Sequence, residues 1–189
     1  MAHQAREAGA LTSVADQPNG FRFVTLAVNS KMNQPTARRE LKLAGLDEVL
    51  DECRRLLESG YQRHGNWSLG QICNHLRLTI DANVQGYPTW MMVMGLPLRP
   101  LLRRWLLPKL MDGDSPVGIR TAGRFVPAGD LSDAAEIDQL EASIQRFGRA
   151  ETLHGHPGFG QMSKEAFEQF HVVHAVHHLR FLSTVERPR

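Results

Sequence analysis

Phe170-His171-Val172-Val173-His174-Ala175-Val176-His177-His178-Leu179-Arg180-Phe181 decides how the chain is read. Ser163 is a ready N-cap, and neither Gly nor Pro occurs from Lys164 to Val185, so the pattern predicts one long final helix over that span. At about 100° per residue, Phe167, Phe181 and Val185 fall within about 20° of His174, and His178 lies about 40° away, one turn on. His174 therefore sits at the centre of an apolar stripe that faces the core, while His177 lies about 60° to the other side and points to the flank. A single histidine in such a stripe is ordinarily satisfied by a backbone group. Two imidazoles among phenylalanines ask for a shared partner, because burying polar rings without one is costly. Side chains at i and i+4 stand about 5–6 Å apart at Cβ, close enough to share one ion. Such an ion needs a third ligand from another element.

The rest of the chain limits what that pair can serve. Its 189 residues are enough for one domain with its own core. Hydrophobic residues at 42% and charged ones at 22% describe a soluble globular protein. A net charge of +2, with Lys and Arg interspersed among Asp and Glu, gives no nucleic-acid surface. No uninterrupted apolar run reaches the roughly 18 residues that a spanning helix needs, so no membrane partner is expected. The N-terminus lacks the apolar core of a signal peptide, and the expected compartment is the cytoplasm. Cys53 and Cys73 lie within helical patterns and read as free, buried thiols, with a single bridge between them left open.

Residues 1–35 read as an appendage to a domain spanning 36–189. Within it Phe21 to Val28 alternates as a short strand would, with Glu40 to Leu43 as its candidate hairpin partner. A first helix is expected from Asp47, as N-cap, to Ser59, stopped by Gly60 and followed by a loop from Tyr61 to Gly65. Ser68 and Gln71 form a capping box that opens a second helix running to about Val84, with Trp67 placed to staple its first turn. His75 lies at the margin of that helix's apolar face, beside Ile72 and Thr79. It is the candidate third ligand. Met91 to Leu110 is strongly apolar but broken by Pro97 and Pro100, so a short helix from about Leu98 to Leu107 is expected, covering the core or meeting a second subunit in a homodimer. Met111 to Asp130 reads as a long loop anchored by Val117, Ile119, Phe125 and Val126. A third core helix follows from Ser132 to Phe147, ended by Gly148. His154 and His156, flanked by Gly and Pro, read as turn residues rather than ligands.

Four principal helices with a long crossover between the second and third predict an all-α four-helix bundle, a fold that builds metal sites from side chains on facing helices. The chain also resembles a known family. Trp67-Ser68, with His75-Leu76 seven residues on, and the late His174-x-x-His177-His178 resemble the DinB-like superfamily of metal-binding four-helix bundles, over roughly residues 40–186. The closer likeness is to an uncharacterised branch, marked by Gly65-Asn66-Trp67-Ser68-Leu69-Gly70-Gln71 and by His156-Pro157-x-Phe159-Gly160. The resemblance implies that His75, His174 and His178 bind the metal. It departs at Leu179-Arg180-Phe181, where many members carry Arg-Gly-Gln, so a shared substrate does not carry over.

Three neutral histidines leave at least one coordination position open, the pattern of a catalytic rather than a structural zinc site. Imidazole donors suit zinc or nickel, and also iron or cobalt. Such an ion activates water for hydrolysis, or holds a low-molecular-weight thiol as thiolate for S-transfer to a small-molecule substrate. The late motif lacks the metalloprotease glutamate, since Ala175 follows His174, and the chain has neither a G-x-S-x-G elbow nor a phosphate-binding glycine loop. Asp81 and Arg180 read as solvated surface charges. A metal-dependent hydrolase or thiol transferase therefore stands against a non-catalytic bundle whose histidines are structural or bind a partner.

Overall fold

The computed structural model describes residues 38–113 and 122–185. They are mostly helical, with one small two-stranded sheet. Helix α1 (Leu46–Ser59) starts from Gly45, which offers no side-chain cap. Asp47 is not the cap: it lies in the first turn with Glu48, where carboxylates favour the positive end of the helix. Gly60 ends α1 with a φ of 73°, a backbone open mainly to glycine.

Helix α2 (Leu69–Gln85) opens with the complete capping box: the Ser68 hydroxyl accepts from the Gln71 amide, and Gln71 Oε1 accepts from the Ser68 amide. Helix α4 (Asp133–Arg149) is capped by Ser132 and α5 (Lys164–Leu179) by Ser163, each through its hydroxyl. Gly148 lies inside α4 instead of ending it, and the helix runs on to Arg149. Helices α2 and α4 pack most extensively, while α5 packs on α1 and α2. Their apolar faces meet in one core in which Leu56, Leu69, Leu140 and Phe167 are fully buried. Each such side chain contributes about 1.5–3 kcal/mol through its removal from water.

Between α2 and α4 lies a continuous helical run, longer than the short helix expected from Leu98. It comprises α3 (Thr89–Gly95), a 3-10 turn (Leu96–Leu98), one α turn (Arg99–Leu101), a π-helical segment (Leu102–Leu106) and a last α segment (Leu107–Met111). Pro97, Pro100 and Pro108 each fall in the first turn of a new segment, where a missing N–H costs least, so the changes of helix type carry the chain through them.

The final helix stops at Leu179, well short of Val185. Leu182–Thr184 forms β2, antiparallel to β1 (Tyr61–Arg63), which had read as loop; Arg63 pairs with Leu182 and Tyr61 with Thr184. Ladder hydrogen bonds and the complete burial of Leu182 outweigh the helical pattern of the sequence there. The expected strand over residues 21–28 lies outside the described residues, as do Val117 and Ile119. Glu40 to Leu43 belongs to no strand. Cys53 and Cys73 are both free and buried, with Sγ atoms 3.7 Å apart. No described helix is long and apolar enough to cross a membrane.

Candidate metal centre

Helices α2 and α5 bring His75, His174 and His178 together, with one ligand atom of each within 4.8 Å of the others. The His174 Nε2 stands 3.1 Å from the Nε2 of His75 and 3.1 Å from that of His178. The i, i+4 spacing on α5 sets the second of these distances. The first follows from the packing of α2 on α5, because His75 is buried on the face that α2 turns inward.

His75 is held by its other nitrogen. Its Nδ1 lies 2.7 Å from the Phe125 carbonyl. A carbonyl only accepts, so Nδ1 carries the proton and Nε2 presents its lone pair to the cluster. Phe125 belongs to a short 3-10 turn (Gly123–Phe125) at the end of the crossover and is itself buried. Trp67 covers the cluster: its ring stacks on His178 at 5.2 Å and lies tilted against His75 at 4.9 Å. Trp67, expected to staple the first turn of α2, is thus seen against His75 and His178. Nothing in the sequence marks a backbone carbonyl such as that of Phe125 as the orienting group.

Burial pushes His75 below the usual histidine range. His174 and His178 are held well below it, first by burial and then by neighbouring imidazoles. At neutral pH all three rings are therefore uncharged, the form in which imidazole binds a cation. A tetrahedral ion with nitrogen ligands at about 2.0–2.1 Å sets those nitrogens about 3.3 Å apart, close to the two 3.1 Å separations. The donor set fits, and these three side chains could hold a metal ion. Their geometry does not select which ion.

The other candidates separate from the cluster. His177 points aside, its ring against His178 and Phe181. His171 is buried and faces Asn83: its Nε2 lies 2.9 Å from Asn83 Oδ1. His156 forms a turn, its Nδ1 accepting from the Gly158 amide at 3.1 Å while its backbone pairs with Gly160. His154 meets Asn83 only through backbone groups, its amide donating to the Asn83 carbonyl at 2.7 Å and its carbonyl accepting from Asn83 Nδ2 at 2.8 Å. Asp81 is not solvated, as its sequence position suggests, but buried between α2 and α4. It accepts from Ser143 Oγ at 2.6 Å and from Arg146 at 2.8 and 3.1 Å. Arg180 is half-buried rather than an open surface charge.

Fold and site together define a mostly helical protein with a three-histidine cluster, His75 buried and His174 and His178 half-buried, that could hold a metal ion. The family described as "Protein of unknown function (DUF1569)" matches residues 35–185, and the chain belongs to it. No curated protein and no solved structure matches the chain.

Proposed function

We propose that this protein is a metal-dependent enzyme built as a DinB-like four-helix bundle, with His75, His174 and His178 as the ligands of one divalent ion, zinc or nickel before iron or cobalt. The observation that carries this reading is the convergence of three Nε2 atoms at which protons cannot make every contact good. The Phe125 carbonyl fixes a lone pair on His75 Nε2. If His174 Nε2 also presents a lone pair, the 3.1 Å contact to His75 is repulsive. If it carries a proton, that one proton must serve both neighbours. A cation satisfies all three lone pairs at once.

Held by three imidazoles, such an ion would supply Lewis-acid activation of water, or of a low-molecular-weight thiol, towards a small-molecule substrate. The chain's own part is to hold the ligands. Helix α5 spaces His174 and His178, Phe125 orients His75, and Trp67 packs against His75 and His178. The Asp81 carboxylate is taken up by Ser143 and Arg146, and so is not free to act as a proton acceptor at the cluster.

The test is metal analysis by mass spectrometry on tag-free protein, beside a His75→Ala/His174→Ala/His178→Ala variant. About one zinc, nickel or iron per chain, lost in the variant, is the expected result; it would direct assays to hydrolysis and thiol transfer. A native chain that takes up no ion after incubation with zinc or nickel would end the metal reading and the enzyme reading with it.

A further inference from the structure

The helical run from Thr89 to Met111 is apolar and, among the described residues, has no cover. None of its residues is buried. Among the described residues, seven of the ten exposed large hydrophobic side chains lie on it, with Trp90 at 61% and Trp105 at 64% exposure. A contiguous surface of this kind on a water-soluble body marks an interaction site. Its charge is one-sided: Arg99, Arg103, Arg104 and Lys109 fall within the run, and no Asp or Glu does.

Among the described residues the run is fastened to the 157–161 turn and, through Leu107–Met111, to α5. Arg99 Nε donates to the Pro157 carbonyl at 2.9 Å, and Arg103 donates to the carbonyls of Phe159 and Gln161 at 3.1 and 2.9 Å. Gly95 lies so close that an added Cβ would fall 2.2 Å from the Pro157 oxygen. With those two arginines drawn back onto the turn, Trp90, Leu101 and Trp105 remain outward together with Arg104 and Lys109.

We propose that this run docks the protein onto an anionic lipid surface, lying in the headgroup layer without crossing it. Exposed tryptophans and leucines with flanking Lys and Arg are the composition that partitions into a membrane interface, where indole rings settle at headgroup depth. Anionic headgroups complement the unbroken basic charge, and the helical form pairs most of the run's backbone groups before entry. A second copy of this chain is the poorer occupant. A twofold contact would press the patch against itself, and every charged approach within it would be between like charges. This inference does not rest on the metal reading.

The experiment is flotation of the full-length chain with vesicles of phosphatidylglycerol and phosphatidylcholine, against vesicles of phosphatidylcholine alone, at low and high salt. Tryptophan emission and light scattering are recorded on the same samples. The protein is expected to float with the anionic vesicles at low salt, with emission shifted to the blue as Trp90 and Trp105 leave water. Arg104→Gln/Lys109→Gln should partition about thirtyfold more weakly, from two lost charges near the surface. Leu101→Glu/Trp105→Glu should not float, with an unchanged far-ultraviolet circular dichroism spectrum. Should that variant misfold, the Arg104→Gln/Lys109→Gln comparison decides alone. No flotation of the native chain with anionic vesicles overturns the proposal, as does binding that the two glutamine substitutions leave unchanged. A native dimer that Leu101→Glu/Trp105→Glu converts to monomer, without vesicle binding, overturns it in favour of a self-interface.

Discussion

His171 offers a quantitative test of how the core treats its histidines. The ring is 2% exposed, packs edge-on against Phe147 and faces Asn83. Burial holds its pKa down at about 3, whereas an unfolded chain titrates it near 6.5. The folded value is the lower one, so between these limits the unfolded state binds the extra proton. The stability tied to this ring is complete above about pH 6.5 and is lost as pH falls towards the folded value. For a single site with these two values, the loss amounts to about 2 kcal/mol at pH 5 and almost nothing at pH 7.5. His171→Gln keeps a donor within reach of Asn83 and removes the titration. It should carry a fixed packing cost at pH 7.5, and by pH 5 its stability relative to the native chain should recover by about 2 kcal/mol. Urea unfolding of both proteins at the two pH values, without added metal, measures that change in the gap. The window lies above the range in which most carboxylates titrate, so they contribute little to it. A gap equal at both pH values would show that His171 is not held neutral by burial, and the reasoning would fail.

The site and its supports make further predictions. Phe125→Ala should loosen the turn whose carbonyl orients His75, and weaken zinc or nickel binding about 10–100-fold while leaving α5 intact; competition with a chelating dye reads this. Trp67→Ala removes the ring stacked on His75 and His178 and should cost about 2 kcal/mol in urea unfolding, short of the full core value because Trp67 is only partly buried. Asp81→Asn discharges the carboxylate that Ser143 and Arg146 share, and should cost about 1–3 kcal/mol in the same assay with metal content unchanged. Gly95→Ala forces a methyl group against the Pro157 carbonyl. The run should lift from the 157–161 turn at a cost of about 1–3 kcal/mol, seen as faster proteolysis between residues 96 and 111.

Side chains on long helices were the legible part of this protein. Ser68 with Gln71, Ser132 and Ser163 announce helix starts because each cap is a local hydrogen bond, and all three form. His174 and His178 could be placed on an inward face, and His75 at the margin of one, because helical periodicity alone decides that. What the sequence did not disclose depends on partners distant in the chain. Nothing local stops a helix at Leu179: the ladder to Tyr61–Arg63, more than a hundred residues earlier, does so. Asp81 looks like a solvent charge until α4 brings Ser143 and Arg146 against it. Gly148 failed as a stop because glycine in the right-handed helical region costs only about 1 kcal/mol, which the packing of α4 overrides.

The buried histidines differ in what their hydrogen-bonding nitrogen meets. His156 and His171 each have one identifiable neighbour, the Gly158 amide and the Asn83 side-chain oxygen, and a neutral ring with a defined tautomer answers each. These are structural uses, and they explain why an H-x-H pair beside Gly and Pro need not bind anything. His75 begins in the same way, with Nδ1 committed to the Phe125 carbonyl, but its Nε2 then meets only other imidazole nitrogens. The Nδ1 of His174 is buried without a hydrogen-bond partner among the described residues, but so is that of His171, so the Nε2 contacts and not this nitrogen set the cluster apart. Replacing both partners of such a contact by apolar groups of similar shape can be nearly neutral for stability. Three such rings nose to nose, one oriented by a backbone carbonyl and two set against Trp67, could hold a metal ion.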